Sequence, residues 1–178
     1  MTKKIIGIAG MCGSGKSEAV KYLVDQGFEA IYFGGTTIAE LKKRGLAVNE
    51  VNEKEVREGL RKEYGMAAFA ILNLENIEQA GDKVVIDGIY SWDEYKVLEE
   101  KFKEDFRLVA IVATKKLRYQ RLTSRPVRPL TAEQIKSRDY AEIENIAKGG
   151  PIAIADYTIV NDGSVEDLRK NLDKIINE

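Results

Sequence analysis

The chain has 178 residues, with 28 Lys and Arg against 29 Asp and Glu, a net charge of -1, one cysteine and no histidine. That is enough chain for one domain with its own core, and nothing in the charge balance points to a general affinity for nucleic acid or membrane surfaces. The single cysteine excludes an internal disulfide, and without histidine any acid–base or metal chemistry falls to carboxylates, lysines, arginines and a borrowed cation.

The N-terminal MTKK and the short apolar run after it resemble a signal peptide only superficially. The run leads into a glycine loop and lacks a small-residue cleavage site. Apolar runs elsewhere are of strand length, so no membrane-spanning helix is expected and the protein reads as cytoplasmic. The candidate strands are IIGIA (5–9), EAIYF (29–33), KVVIDG (83–88), RLVAIVAT (107–114) and DYTIV (156–160). Their nearly continuous apolar character predicts parallel strands buried on both faces.

The first strand runs into GMCGSGKS, Gly10–Ser17, the phosphate-loop spacing of Gly, four residues and Gly-Lys-Ser. Glycines let successive backbone N–H groups turn inward, and the helix that starts there adds its dipole. Gly10, Cys12, Gly13, Ser14, Gly15, Lys16, Ser17 and Glu18 are therefore the expected nucleotide cradle, the Cys12 side chain being a bystander at a variable position. Lys16 is expected at the β/γ-phosphates and Ser17 on Mg²⁺. The helix that follows carries Val20, Leu23 and Val24 on one face and ends near Gly27.

Residues 34–82 read as a helix pair, TTIAELKKRG and then NEKEVREGLRKEYG leading into AAFAILNLENIEQAG. Arg57 and Arg61, four apart within it, either bind an acidic acceptor or pair with Glu53, Glu58 or Glu63. Asp87 ends the third strand and is expected in the Mg²⁺ crevice, as a metal ligand or proton acceptor. Asp93 and Glu94 open the next helix. Tyr64, Tyr90, Trp92 and Tyr95 read as mixed core and rim.

After the fourth strand, RYQRLTSRPVR carries Arg118, Arg121, Arg125 and Arg128, with Arg138 beyond. The arginine fork matches phosphate oxygens and its plane stacks on bases. Arg121 and Arg125, on one helical face and next to a proline-bearing insertion, are preferred over Arg118 and Arg128. Residues 125–150 form a candidate lid. The chain closes with Ser164 and Asp167 at capping-box spacing before a helix carrying Leu168, Leu172, Ile175 and Ile176. The alternation predicts a single α/β domain over 1–178, a five-stranded parallel sheet between helical layers, with a helical insertion at about 34–82 and a lid at about 125–150.

GMCGSGKS, RLTSR followed by LTAEQIKSR, and ADYTIVNDGSVEDLRKNL together resemble the P-loop small-molecule kinases, particularly nucleoside monophosphate kinases and dephospho-CoA kinase. KKRG, LRKEYG and VVIDGI are similar to an archaeal-type branch of that group. The resemblance implies ATP and Mg²⁺ as cofactors and a small, nucleotide-like phosphate acceptor. It implies Arg121 against the adenine, Arg125 and Arg138 on the phosphates, and the turn from Asn161 to Gly163 beside the base. Lys16, Asp87, Arg125 and Arg138 are then the catalytic candidates, and Ser17 and Asp87 the metal ligands.

The acceptor side departs from the group. Gly35 stands where dephospho-CoA kinase carries an aspartate, and Ile38 and Tyr90 stand where the archaeal-type branch tends to carry arginine. The competing expectation is a nucleotide-binding regulator or slow NTPase whose insertion contacts a macromolecule. The sequence leaves the acceptor, the choice between ATP and GTP, and the oligomeric state open.

Overall fold

A computed structural model describes residues 3–178. Five parallel strands form one sheet in the order β2-β3-β1-β4-β5: β1 Lys4–Ala9, β2 Glu29–Tyr32, β3 Lys83–Asp87, β4 Phe106–Val112 and β5 Tyr157–Val160. Each strand lies within two residues of its predicted bounds. Alternation along β1 explains the two layers, because successive side chains point to opposite faces. Ile5 and Ala9 face one core with Phe33, Leu41, Phe69 and Leu98. Ile6 and Ile8 face the other with Leu23, Val85, Ile111 and Leu172.

The second of these cores is closed by α1 (Lys16–Asp25) and α10 (Val165–Ile176). The first is covered by α2 (Phe33–Lys43), α3 (Glu50–Tyr64), the short α4 (Ala68–Ile71) and α5 (Leu74–Gln79), and α6 (Trp92–Phe102). A 3₁₀ turn at Lys103–Asp105 leads into β4. Next come α7 (Lys115–Ser124), α8 (Ala132–Glu144) and the single-turn α9 (Gly149–Ala153). The capping boxes behave as their spacing dictates. Ser91 and Glu94 start α6, and Ser164 and Asp167 start α10.

Three expectations are corrected. The strands β2 and β5 are not buried on both faces: they are the sheet edges, and Tyr32 and Val160 are 53% and 65% exposed. Phe33 does not end a strand but begins α2, so Gly35 sits in the first turn of a helix. The helix pair of 34–82 is four helices, because Gly65 at φ 77° stops α3 and Asn73 separates α4 from α5. Among the described residues no helix is long and apolar enough to cross a membrane.

Candidate active site

The loop between β1 and α1 is shaped from both ends of the chain. The Ser14 N–H donates to the Met11 carbonyl (3.2 Å), and those of Glu18 and Ala19 donate to the Gly15 carbonyl (3.1 and 3.2 Å). The N–H groups of Gly13, Gly15, Lys16 and Ser17 have no backbone acceptor among the described residues. They collect at the start of α1, the geometry that attracts an anion. The Asn161 amide, at the end of β5, donates to the Ser14 carbonyl (2.8 Å). A Cβ on Gly15, whose φ is 107°, would overlap that amide, so glycine is required there on both counts.

Behind the loop, α7 supplies two arginines. Arg118 forks onto both Asp139 oxygens (2.9 and 2.8 Å) and donates to the Cys12 carbonyl (3.0 Å). Both partners are buried, Arg118 at 8% and Asp139 at 7% exposure, so the pair fastens α8 to α7 and to the loop at once. Arg118 is thus the member of the arginine row that turns inward, which helical spacing alone does not say. Arg121 donates to the Asn161 carbonyl (2.8 Å), with longer contacts to the Ser14 and Gly13 carbonyls (3.4 and 3.5 Å). Arg125 uses its Nε within the lid turn, on the Arg128 carbonyl (2.7 Å), and Arg128 is exposed at φ 52°. Gly163 lies in the turn that caps α10, against the Asp167 carboxylate.

In the crevice in front of the loop, Lys16 donates to the Met11 carbonyl (3.1 Å). Burial, and next the nearby Lys148 ammonium, lower its pKa to about 8, against the pull of Glu142, Cys12 and Asp87. Asp87 is half-buried at the end of β3, whose register sets it beside Ile8 of β1. Burial raises its pKa while Lys16 opposes the rise. Ser17 and Glu18 are exposed in the first turn of α1. Lys16 and Asp87 thus lie close enough to feel each other's charge, and Ser17 is exposed at the start of α1.

Sequence reasoning missed Lys148. This lysine is 1% exposed, its ammonium 2.9 Å from Glu142 and 5.1 Å from the centre of the Tyr90 ring. Glu142 also takes Arg138, at 3.4 Å. The far end of the lid thus brings Lys148 and Glu142 within charge range of Lys16. The local sequence, Ala-Lys-Gly-Gly, has no periodicity to signal a buried lysine.

On the insertion side the two candidate arginines part company. Arg57 is 3.6 Å from Glu53, an ordinary pair along α3. Among the described residues Arg61 has no carboxylate within ion-pair range and keeps a buried Nε without a partner, and it lies 5.3 Å from the centre of the Phe69 ring. Glu94, also missed beyond its capping role, is fully buried and its pKa is pushed up to about 7 by burial. Tyr95 belongs to the core, stacked on Trp92 at 5.3 Å, whereas Tyr64 is exposed.

The residues present suit a phosphate ligand. Loop N–H groups and a buried Ser14 hydroxyl without partners among the described residues, and Lys16 and Lys148 in one crevice, all call for anionic oxygens. Among the described residues no group of three or more Cys, Asp or Glu could hold a metal by itself. A hard cation at Ser17 and Asp87 would take its remaining ligands from phosphate and water, the usual habit of Mg²⁺.

Comparison with known proteins agrees with this architecture. The AAA domain model matches residues 6–145. A UPF0200 protein of Thermococcus kodakarensis is 36% identical over 180 residues, covering 98% of this chain and 97% of that one. A UPF0200 protein of Sulfurisphaera tokodaii is 33% identical over 186 residues, covering 97% and 96%. Among solved structures, TT1252 from Thermus thermophilus superposes with a TM-score of 0.68 at 20% identity, covering 99% of this chain and 98% of that one. A shikimate kinase from Acinetobacter baumannii, in complex with shikimate, superposes at 0.64 and 22%, covering 99% and 94%. The chain belongs to the UPF0200 family, carries an AAA domain, and has the fold of the P-loop kinase group.

Proposed function

We propose that this protein is an ATP- and Mg²⁺-dependent kinase that moves the γ-phosphate to a small, nucleotide-like acceptor, in the manner of dephospho-CoA kinase or the nucleoside monophosphate kinases. The observation that carries the reading is the convergence of Lys16, Asp87 and the lid's Lys148–Glu142 pair on the open N–H groups of the loop. Phosphoryl transfer is mostly positioning and charge stabilisation, and this crevice supplies both from opposite sides.

In this reading Lys16 and the loop amides hold the β- and γ-phosphates, and Arg121 with Asn161 borders the base. Ser17 and Asp87 hold Mg²⁺, which when bound offsets phosphate charge. Asp87 is also placed to accept the acceptor hydroxyl proton, a task Gly35 cannot perform. Arg125 and Arg138 approach the moving phosphoryl group when the lid closes, and Lys148 joins them by exchanging Glu142 for phosphate oxygen. Arg57 and Arg61 face the acceptor. A regulator or slow NTPase is the second reading, favoured by Gly35 in the first turn of α2, where no carboxylate meets an acceptor.

The test is ADP formation from ATP and Mg²⁺ with and without dephospho-CoA, nucleoside monophosphates, nucleosides and small phosphorylated metabolites, with products identified by mass. Acceleration by one acceptor is expected, with turnover reduced at least about a thousandfold in Lys16→Ala while the melting curve is kept. Nucleotide binding without acceleration by any acceptor selects the regulator. Full turnover in Lys16→Ala refutes the role given to that lysine.

A further inference from the structure

Helix α8 anchors two enclosed ion pairs, and they are made very differently. Arg118 and Asp139 meet in two aligned hydrogen bonds of 2.9 and 2.8 Å. Glu142 has two cations and a good bond to neither. The Lys148 ammonium is 2.9 Å from Glu142 Oε2, yet this buried oxygen has no aligned hydrogen-bond donor among the described residues. Arg138 Nε reaches only Oε1, at 3.4 Å. A buried pair compensates for its loss of water only when its geometry is good and its remaining oxygens are satisfied. By that measure Glu142 is a poor partner for the cations around it.

The backbone nevertheless holds this poor contact in place. The Lys148 N–H donates to the Glu142 carbonyl (3.0 Å) and the Ala147 N–H to that of Ile143 (3.1 Å), in the turn that leaves α8. The turn puts Ala147 at φ 50°, a conformation uncommon for any residue but glycine. Lysine and carboxylate therefore travel together on the lid. Two further contacts set the pair at the crevice. Asp139, one turn before Glu142 on α8, is clamped by the same Arg118 that binds the Cys12 carbonyl of the loop. The Lys148 ammonium lies over the Tyr90 ring, whose phenol end abuts Gly88, the neighbour of Asp87.

We propose that Glu142 is a built-in placeholder anion: in the free protein its carboxylate occupies the position beside Lys148 and Arg138 that an oxygen of the terminal phosphate takes, and a triphosphate must displace it. This rests on reading the crevice as a nucleotide triphosphate site, and not on transfer from that site. While the crevice is empty, Glu142 offsets the charge of neighbouring cations at the expense of affinity. A phosphate presents several oxygens on one centre and accepts from ammonium and guanidinium together, which a single carboxylate fixed by its helix does poorly.

Calorimetric titration of the full chain tests this without turnover, using the Mg²⁺ complexes of adenylyl imidodiphosphate, a non-hydrolysable triphosphate, and of ADP. Glu142→Gln keeps the shape and removes the charge. It is expected to bind the triphosphate analogue at least about tenfold more tightly than wild type, and ADP less than about threefold more tightly. Adding Lys148→Met is expected to return the analogue to within about twofold of wild type, because the gain is made through that lysine. A pair that only supports the fold predicts the reverse, a lower melting temperature with affinity unchanged or weakened.

Unchanged or weaker binding of the analogue by Glu142→Gln, or an equal gain for both nucleotides, overturns the proposal. So does failure of wild type and variant alike to bind the analogue. If Glu142→Gln does not fold, Glu142→Asp decides: it keeps the charge and draws it back by one methylene, and a gain of at least about threefold is expected. No gain there overturns the proposal. If the gain is found but no acceptor accelerates ADP formation, the kinase reading falls and the placeholder stands. If an acceptor is phosphorylated while Glu142→Gln binds the analogue no more tightly than wild type, the placeholder falls and the kinase reading stands.

Discussion

On the loop side of the crevice, Arg118, Arg121 and Asn161 are committed to the protein's own groups. Arg118 holds Asp139 and the Cys12 carbonyl, Arg121 holds the Asn161 carbonyl, and Asn161 holds that of Ser14. On the insertion side, Arg61 Nε and Glu94 Oε1 are enclosed yet have no hydrogen-bond partner among the described residues. The difference separates two tasks. Pinning the loop's carbonyls leaves its N–H groups open to an anion, whereas the insertion side leaves enclosed side-chain atoms unsatisfied.

The sharpest way to break the comparison is to unpin the loop. Arg118→Met leaves Asp139 buried and unpaired, which costs about 3–5 kcal/mol and lowers the melting temperature by roughly 10 °C in a chain of this size. The double variant with Asp139→Leu is expected to regain most of that loss. A single variant melting within about 2 °C of wild type would show that the pair supports nothing.

A second experiment titrates the loop's own charge. Burial lowers the Lys16 pKa to about 8, so in the free protein the ammonium is present below that pH and lost above it. An anionic nucleotide prefers the ammonium. ADP affinity is therefore expected to fall by up to about tenfold per pH unit above 8, and to stay flat in Lys16→Met. Calorimetry between about pH 7 and 9.5 checks the slope.

The smallest effect belongs to the insertion side. A Cβ on Gly35 meets only the Tyr32 ring, at an ordinary 3.5 Å. Gly35→Asp is expected to stabilise by about 0.5–1 kcal/mol, from helix propensity and an acidic group in the first turn of α2. A melting temperature about 2 °C higher agrees; a lower one places a hidden constraint on the open side.

The same division explains what the sequence discloses. The loop is legible because its chemistry is local: the eight consecutive residues Gly10–Ser17 carry the turn, the lysine and the hydroxyl. The five strands are legible because parallel strands advertise themselves as apolar runs, but EAIYF and DYTIV do not reveal that they are edges. A short run carries no record of whether one neighbour or two will pair with it. Arg61, Glu94 and Lys148 lie far apart in sequence and are common surface residue types. Their enclosure follows from how α3, α6 and the lid pack, which no single segment encodes. Gly35, by contrast, stands where the resemblance to dephospho-CoA kinase expects an aspartate.

The clamp of Asn161 on Ser14 links residues 147 positions apart. During synthesis the glycine loop emerges early, yet the amide that sets its Ser14 carbonyl is added near the other end of the chain. A nascent chain therefore exposes a phosphate motif that is not yet a phosphate site, and competence to bind arrives only when the fifth strand docks. An anion held by the loop's N–H groups would stabilise that last step and couple binding to folding through Asn161.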